Sequence, residues 1–284
     1  MTTDGFDRDA WLVRIGYSGS RDPTLATLRH LVLSHASAIA YESIDVLLGR
    51  PPKLDVPSLL AKMVYQRRGG YCFEQNMLFR EGLRSLGFAV TSLQARVVRG
   101  LAIDAPRPAL HMVLRVELPE GPFLADVGFG NLAPTAALML SPIVEQETPH
   151  ETTRLLPMGE ELTLQAKLRG SWEHIYRIVP HPRFDAEYEI ANWYTGTHPE
   201  GPYVSNIIAA RPGPGRTRLT LFNNRLTKRD ANGNADRHAL STESDYRRVL
   251  AEEFGIELSE VDLRQALHIV EERGWRDGPH PFFA

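Results

Sequence analysis

The spacing of apolar residues changes character at Gly87, and that change limits the fold more than any other feature of the chain. Before Gly87 apolar positions recur at helical intervals. Leu25, Leu28, Leu31, Val32 and Ile39 follow Asp22-Pro23, which predicts a helix over 24–40. Val56-Pro57-Ser58 opens a second helix bearing Leu59, Leu60, Met63 and Val64, interrupted at Gly69-Gly70. A third is expected from Cys72 to Leu86, with Gly87 as its C-terminal cap. After Gly87 the period is two. Strands are expected over 88–98 and 110–118, where Leu110, Met112, Leu114, Val116 and Leu118 alternate with His111, Val113, Arg115 and Glu117. Pro119-Glu120-Gly121-Pro122 forms a turn and 123–127 is the returning strand. Further strands are expected over 162–168 and 175–179 and, after a long irregular stretch, over 218–222 and 225–228. Thr242 with Asp245, and Ser259 with Asp262, then start two more helices. Helices, then strands, then helices describe an α+β protein whose strands form an antiparallel barrel or sandwich.

Size and charge exclude several classes. A chain of 284 residues buries enough surface to need neither disulfides nor a structural metal. One cysteine excludes an internal disulfide, a zinc finger and a Cys-x-x-Cys redox pair. Net charge is −3, from 32 basic and 35 acidic residues, which offers no footprint for nucleic acid and no polybasic signal for membrane. The longest uncharged run, 127–144, contains Gly128, Gly130, Asn131, Pro134 and Pro142 and makes a poor membrane helix. The opening residues MTTDGFDRDA are acidic and lack an apolar core, unlike a secretory signal, so a cytoplasmic location is expected.

The single cysteine sits where a thiol can be activated. Cys72 follows Arg67-Arg68-Gly69-Gly70-Tyr71 and begins a predicted helix, whose free N–H groups favour an anion, with two arginines close in sequence. A buried structural cysteine is the alternative. A nucleophilic cysteine needs a base, and the base an orienting group. Among 10 histidines, His111 stands out on its alternating strand, as a base or as a half-buried histidine bonded to a carbonyl. Asp126 lies between Ala125 and Val127 in an apolar strand, where a carboxylate is costly unless paired. It can complete a triad or cap the next loop. With Glu120-Gly121 as a two-residue turn, His111 faces Gly130, four residues from Asp126 and on the same face. Four residues span about 13 Å, so a bulge, a different turn or strong twist is required to bring the two together.

Gly128-Phe129-Gly130-Asn131-Leu132-Ala133 fits Gly-x-Gly-x-x-Ala after a strand. As a dinucleotide fingerprint it is weak, because that strand is the return of a hairpin and Pro134 and Pro142 confine any helix to a short piece. A glycine loop that meets phosphate through its N–H groups needs no such fold.

At Arg67-Arg68-Gly69-Gly70-Tyr71-Cys72-Phe73-Glu74-Gln75-Asn76 the chain resembles the arylamine N-acetyltransferases, through the pattern R-G-G-x-C-x-E-x-N. His111 in Leu110-His111-Met112, Asp126 in Ala125-Asp126-Val127-Gly128-Phe129-Gly130, and the early Ile15-Gly16-Tyr17 with Pro23-Thr24 fall in matching order. The resemblance implies a helical bundle (1–87) with the cysteine, a β-barrel (88–200) with histidine and aspartate, and an α/β lid (201–284), related to papain-like and transglutaminase-like enzymes. It implies ping-pong acetyl transfer from acetyl-CoA, as a substrate and not a resident cofactor, to arylamines or hydrazines, with Cys72, His111 and Asp126 as the triad and no metal. It implies that Gly128, Phe129 and Gly130 line the CoA cleft, and that Tyr41, Phe129 and Tyr203 line the acceptor pocket. The family usually has P-F-E-N where this chain has Ala40-Tyr41-Glu42-Ser43. The retained Glu42 is expected to pair with Arg68 in a buried salt bridge. An amide synthase using a carrier-bound polyketide chain, a cysteine acyl hydrolase and a non-catalytic homologue are the alternatives on the same scaffold. Monomer and homodimer both remain open.

Overall fold

A computed structural model describes residues 5–273. Five helices open it. Helix α1 (Arg8–Arg14) is capped by Asp7, which accepts from the Ala10 N–H at 2.9 Å. Helix α2 (Leu25–Ala38) is capped by Thr24. After a two-residue strand β1 (Tyr41–Glu42) come the short α3 (Ile44–Leu47) and α4 (Val56–Leu59), the latter with proline in its first turn and prolonged by a π-helical turn over Leu60–Tyr65. Helix α5 (Cys72–Ser85) is central: eleven of its fourteen residues are buried. It packs on Trp11 and His35 through Phe79, with ring centroids 6.1 and 5.1 Å apart. Its Phe73, Met77 and Phe79 share one core with Met112, Leu114 and Val116 of the sheet that follows. That shared core seats the start of α5 against the strand bearing His111.

Eight antiparallel strands form the barrel: β2 (Ala89–Val97), β3 (His111–Leu118), β4 (Gly121–Ala125), β5 (Leu138–Met139), β6 (Gln146–Glu147), β7 (Thr152–Met158), β8 (Glu161–Leu168) and β9 (Ser171–Val179). Their order is β5-β4-β3-β2-β9-β8-β7-β6. The Gln146 side chain bridges the two edges, accepting from the Met139 N–H at 2.7 Å and donating to its carbonyl at 2.9 Å. Helix α6 (Asp185–Thr197) crosses back to the helical region, where Arg80 donates to Asp185 at 3.0 Å.

The last third forms a second sheet from β10 (Ile208–Pro212), β11 (Arg218–Phe222), β12 (Arg225–Arg229) and β13 (Ala235–Ala239), with β1 added at the β10 edge. Helices α7 (Glu243–Phe254) and α8 (Glu260–Arg273) cover it, burying Tyr246, Val249, Leu250 and Phe254 against Leu219, Leu221 and Leu226. Thr242 and Asp245 cap α7 reciprocally, at 3.1 and 3.0 Å. Among the described residues no helix is long and apolar enough to cross a membrane.

The long stretch read as irregular holds α6 and β10; β7 lies in a segment given no element, and β13 past the last expected strand. Helix α6 buries only Tyr188, Ala191, Asn192 and Gly196 while Ile190 and Trp193 face outward, so its apolar residues do not mark its buried face. Strand β13 is polar and held by backbone pairing at an edge. Strand β7 carries Pro157 near the end of the sheet.

Candidate active site

Helix α5 starts at Cys72 because Tyr71 is extended (φ −92°, ψ −172°) and Glu74, three residues on, accepts its N–H at 3.0 Å. Lys62 Nζ lies 2.8 Å from both Glu74 and Asp45. Burial pushes the Glu74 carboxyl up to about 7 against the pull of Lys62. Cys72 thereby occupies the first helical position, where N–H groups have no intrahelical acceptor, and it is 6% exposed. The arginines before it do not face the thiol. Arg67 pairs with Glu257 at the surface (3.0 Å), and Arg68 is buried against Glu42 and Asp45. The expected Glu42–Arg68 pair stands at 2.8 Å, with Glu42 wholly buried.

The hairpin turn explains how His111 and Asp126 meet. It is Pro119-Glu120, not Glu120-Gly121: Gly121 is the first residue of β4 and pairs with Leu118. That register leaves the two residues offset by two positions instead of four, diagonal neighbours on one face and within reach of each other. His111 Nε2 lies 2.7 Å from Asp126 Oδ2. Asp126 is fully buried, and its Oδ1 accepts from Asn76 Nδ2 at 3.0 Å and from the Gly128 N–H at 2.9 Å. Burial opposes charge on His111, but the Asp126 carboxylate and the neighbouring Cys72 side chain outweigh it and push the imidazole up to about 10; the Cys72 thiol itself donates weakly to the Leu110 carbonyl at 3.9 Å. Burial likewise opposes charge on Asp126. His111, Asn76 and Gly128 overcome it and hold the carboxyl below its ordinary value.

Asn76 is a site residue that the residue-by-residue reading assigned no role. It lies one helical turn after Cys72, so the i, i+4 spacing is the signal that places it on the same face. Its Nδ2 also donates to the Met112 carbonyl at 2.8 Å, and its Oδ1 accepts from the Val127 N–H at 3.1 Å. One side chain therefore ties α5 to β3 and to the loop bearing Asp126. Gly128 lets that loop close: a Cβ there would stand 2.7 Å from Asn76 Nδ2 and 2.9 Å from the Cys72 backbone. Tyr176 of β9 was also missed; its ring and that of Phe129 each lie 5.1 Å from the His111 ring and shield it from water.

Cys72 and His111 open into a cavity of about 390 Å³ also lined by Tyr41, Gly128, Phe129 and Tyr203. Gly130 sits behind this wall against the Tyr41 ring, beginning a single 3₁₀ turn, Gly130–Leu132, in place of a nucleotide-binding helix. The Tyr41 and Tyr203 side chains lie beside each other and beside Cys72, and burial raises both phenols. No cluster of three metal-ligating side chains occurs among the described residues.

Comparison with known proteins fits this geometry. A family model for N-acetyltransferases matches residues 24–263. An arylamine N-acetyltransferase of Mycobacterium tuberculosis is 38% identical over 92% of this chain and 93% of the relative. One from Escherichia coli is 36% identical over 87% of each. The solved structure of Mycobacterium marinum arylamine N-acetyltransferase in complex with CoA superposes with a TM-score of 0.88 at 35% identity, covering 94% of this chain and 99% of that one. With the helical region, the barrel and the second sheet all matched, this chain belongs to the arylamine N-acetyltransferase family.

Proposed function

We propose that the protein transfers acetyl groups from acetyl-CoA to arylamines or arylhydrazines through an acetyl-cysteine on Cys72. Asp126 bonded to Nε2 leaves Nδ1 of His111 for the thiol. The thiol proton passes to His111, whose imidazolium Asp126 stabilises, and the sulfur attacks the thioester carbonyl. First-turn N–H groups of α5 receive the developing oxyanion. The carbon–sulfur bond to CoA then breaks and His111 returns its proton to the departing CoA sulfur. In the second half-reaction the amine nitrogen attacks the acetyl-cysteine, His111 removes the amine proton, and the proton passes to the Cys72 sulfur as the amide leaves.

The observation that carries this reading is the meeting of Cys72 of α5 and His111 of β3 at one cavity, with Asp126, from the loop after β4, bonded to His111 from behind. Phe129, Tyr41 and Tyr203 give that cavity the aromatic walls an aryl acceptor requires. Intact-mass measurement after mixing with acetyl-CoA tests the reading. One acetyl group on Cys72, discharged by an aryl amine with formation of the acetamide, supports it. Acetyl-CoA consumed at a rate no amine alters points to a hydrolase, and an unmodified Cys72 overturns the reading.

A further inference from the structure

The glycine pair ahead of Cys72 has no part in the acetyl-transfer chemistry, and its surroundings account for it. A Cβ on Gly69 would overlap the Ala40 carbonyl oxygen and stand 2.7 Å from Glu42 Cγ. A Cβ on Gly70 would stand 2.9 Å from Glu74 Cβ and 3.0 Å from Glu74 Oε2. Both glycines lie outside the lining of the Cys72 cavity. The chain before the nucleophile is therefore drawn tightly over two buried carboxylates, not opened towards a substrate.

Those carboxylates belong to a cluster of five charged side chains beside Cys72: Glu42 of β1, Asp45 of α3, Lys62 of the π-helical turn, Arg68 beyond it and Glu74 of α5. Arg68 reaches Glu42 and Asp45 at 2.8 and 3.2 Å, and Lys62 reaches Asp45 and Glu74 at 2.8 Å each. Three carboxylates thus share two inner cations, while the half-exposed Arg50 comes no nearer Asp45 than 3.9 Å. Glu42 offsets its burial with Arg68 and with the Ile44 N–H at 2.7 Å. Glu74 is as deeply buried, feels Glu42 as a like charge, and has Lys62 as its cation. Its second oxygen accepts the Tyr71 N–H at 3.0 Å. A buried carboxylate beside another needs a cation to stay charged, and without Lys62 Glu74 takes up a proton. A neutral carboxyl holds an N–H less firmly than a carboxylate does. The backbone itself is bent to put Lys62 there. It lies in the six-residue π-helical segment Leu60–Tyr65, a rare form that marks functional positions, and its carbonyl accepts the Arg68 N–H at 3.1 Å, so one residue sets both cations.

We propose that Lys62 is a positioning residue for the nucleophile. By keeping Glu74 ionised it secures the Tyr71 N–H, and with it the extended residue that delivers Cys72 at the head of α5, in the cavity shared with His111. The glycine pair gives Glu42 and Glu74 the room this needs. Naming Cys72 the nucleophile rests on the acetyl-cysteine reading; the linkage from Lys62 through Glu74 to Tyr71 stands apart from it.

Alkylation of Cys72 by iodoacetamide, followed from about pH 6 to 9, tests the linkage without any acetyl donor. The Glu74 carboxyl, pushed up to about 7, gives the wild-type rate a step near that pH, with the faster branch above it. In Glu74→Gln the step should vanish, and the rate at about pH 8 should fall roughly tenfold, the range for loss of a charge-assisted contact. In Lys62→Met Glu74 keeps its proton to higher pH, so the step should move up and the rate at about pH 8 should fall by a similar factor. Lys62→Arg restores a cation and should return the step towards its wild-type position. The double variant Lys62→Met/Glu74→Gln should be no slower than Glu74→Gln, because Lys62 acts through Glu74. A residue that only supported the fold would lower the urea midpoint and leave the step in place. Should Lys62→Met fail to fold, Glu74→Gln and Lys62→Arg decide the matter. A profile that Glu74→Gln leaves unchanged, or faster alkylation in any of these variants, overturns the proposal. Failure of the acetyltransferase reading would appear separately, as no acetyl-Cys72 from acetyl-CoA while the alkylation pattern holds.

Discussion

Asp126→Asn tests the site at the group that carries most of its electrostatics. Three donors converge on that carboxylate: His111 Nε2 at 2.7 Å, Asn76 Nδ2 at 3.0 Å and the Gly128 N–H at 2.9 Å. Only a group that accepts on both oxygens suits all three. In Asp126→Asn the carbonyl oxygen keeps Asn76 and Gly128, and the amide nitrogen faces Nε2. Nε2 must then accept, so the imidazole proton moves to Nδ1, the side that serves Cys72, and His111 can no longer take the thiol proton. Asp126, with Cys72, raises the imidazole from 6.5 to about 10. Taking the orienting carboxylate away from a triad of this kind costs a factor of roughly 10³–10⁴ in rate. Rapid-quench mass spectrometry of Cys72 acetylation by acetyl-CoA should show a fall of about a thousandfold or more, with circular dichroism unchanged. A variant that acetylates within about tenfold of the wild-type rate would refute the argument from tautomer and charge.

Cys72→Ala should give no covalent acetyl adduct by intact mass while still binding CoA in equilibrium titration. Tyr41→Phe removes one hydroxyl of the Tyr41–Tyr203 pair; relative kcat/KM across arylamines of differing polarity should shift about 3–10-fold with Cys72 acetylation little changed, and an unaltered acceptor profile would remove Tyr41 from the acceptor pocket. Asn76→Ala leaves the Met112 carbonyl, the Val127 N–H and one bond of Asp126 without a partner, so urea denaturation should show a loss of about 3 kcal/mol or more, and an unchanged midpoint would contradict the tie described above. His111 is raised in the folded state, so its stabilising contribution is complete below pH 6.5 and is lost as pH rises towards 10. The stability gap between wild type and His111→Gln should therefore narrow over that window by up to about 1.4 kcal/mol per pH unit; a gap independent of pH would mean that His111 is not charged in the folded protein.

The helices and barrel strands were legible wherever apolar residues recur at the element's own period, although α5 and the first half of β3 are buried on both faces. Leu25–Ala38 and Cys72–Ser85 lie within the ranges their apolar spacing predicts, and His111–Leu118 keeps its alternation. What escaped was held by something other than an apolar stripe: α6 by a few small and polar residues, β13 by backbone pairing. Within the site, Cys72 and His111 were visible because a thiol after a glycine pair and a ring on an apolar strand are chemically conspicuous. The approach of His111 to Asp126 was not, because register turns on a single residue of the hairpin and periodicity carries no information about which one. Asn76 and Tyr176 were hidden for a simpler reason. Each lies on the buried face of its element, where an amide or a phenol looks like core until its partner is known.

On the proposed mechanism, the placement of these parts separates the two half-reactions mechanically. Cys72, His111 and Asp126 are joined through α5 and the barrel, and Asn76 locks those two bodies with three hydrogen-bonding partners. Tyr41 and Tyr203 hang instead from the C-terminal sheet. Tyr41 sits on β1, paired with Ala210 at the edge of that sheet, and Tyr203 lies just before β10. The two bodies are linked through the Gly70 carbonyl accepting from the Glu42 N–H at 3.1 Å, through the buried Glu42–Arg68 pair, and further off through Arg218 of β11 donating to Glu151 and to the Ala133 carbonyl. A change in the sheet or its helices can therefore move the acceptor walls by tenths of an ångström without disturbing the His111–Asp126 hydrogen bond. Acceptor range should drift with substitutions in β10 and β11, whereas the rate of cysteine acetylation should respond to α5, β3 and the Gly128 loop. Arg68→Ala joins the two behaviours, because it leaves Glu42 buried without its cation. It should cost several kcal/mol of stability and alter acceptor preference before it alters the first half-reaction.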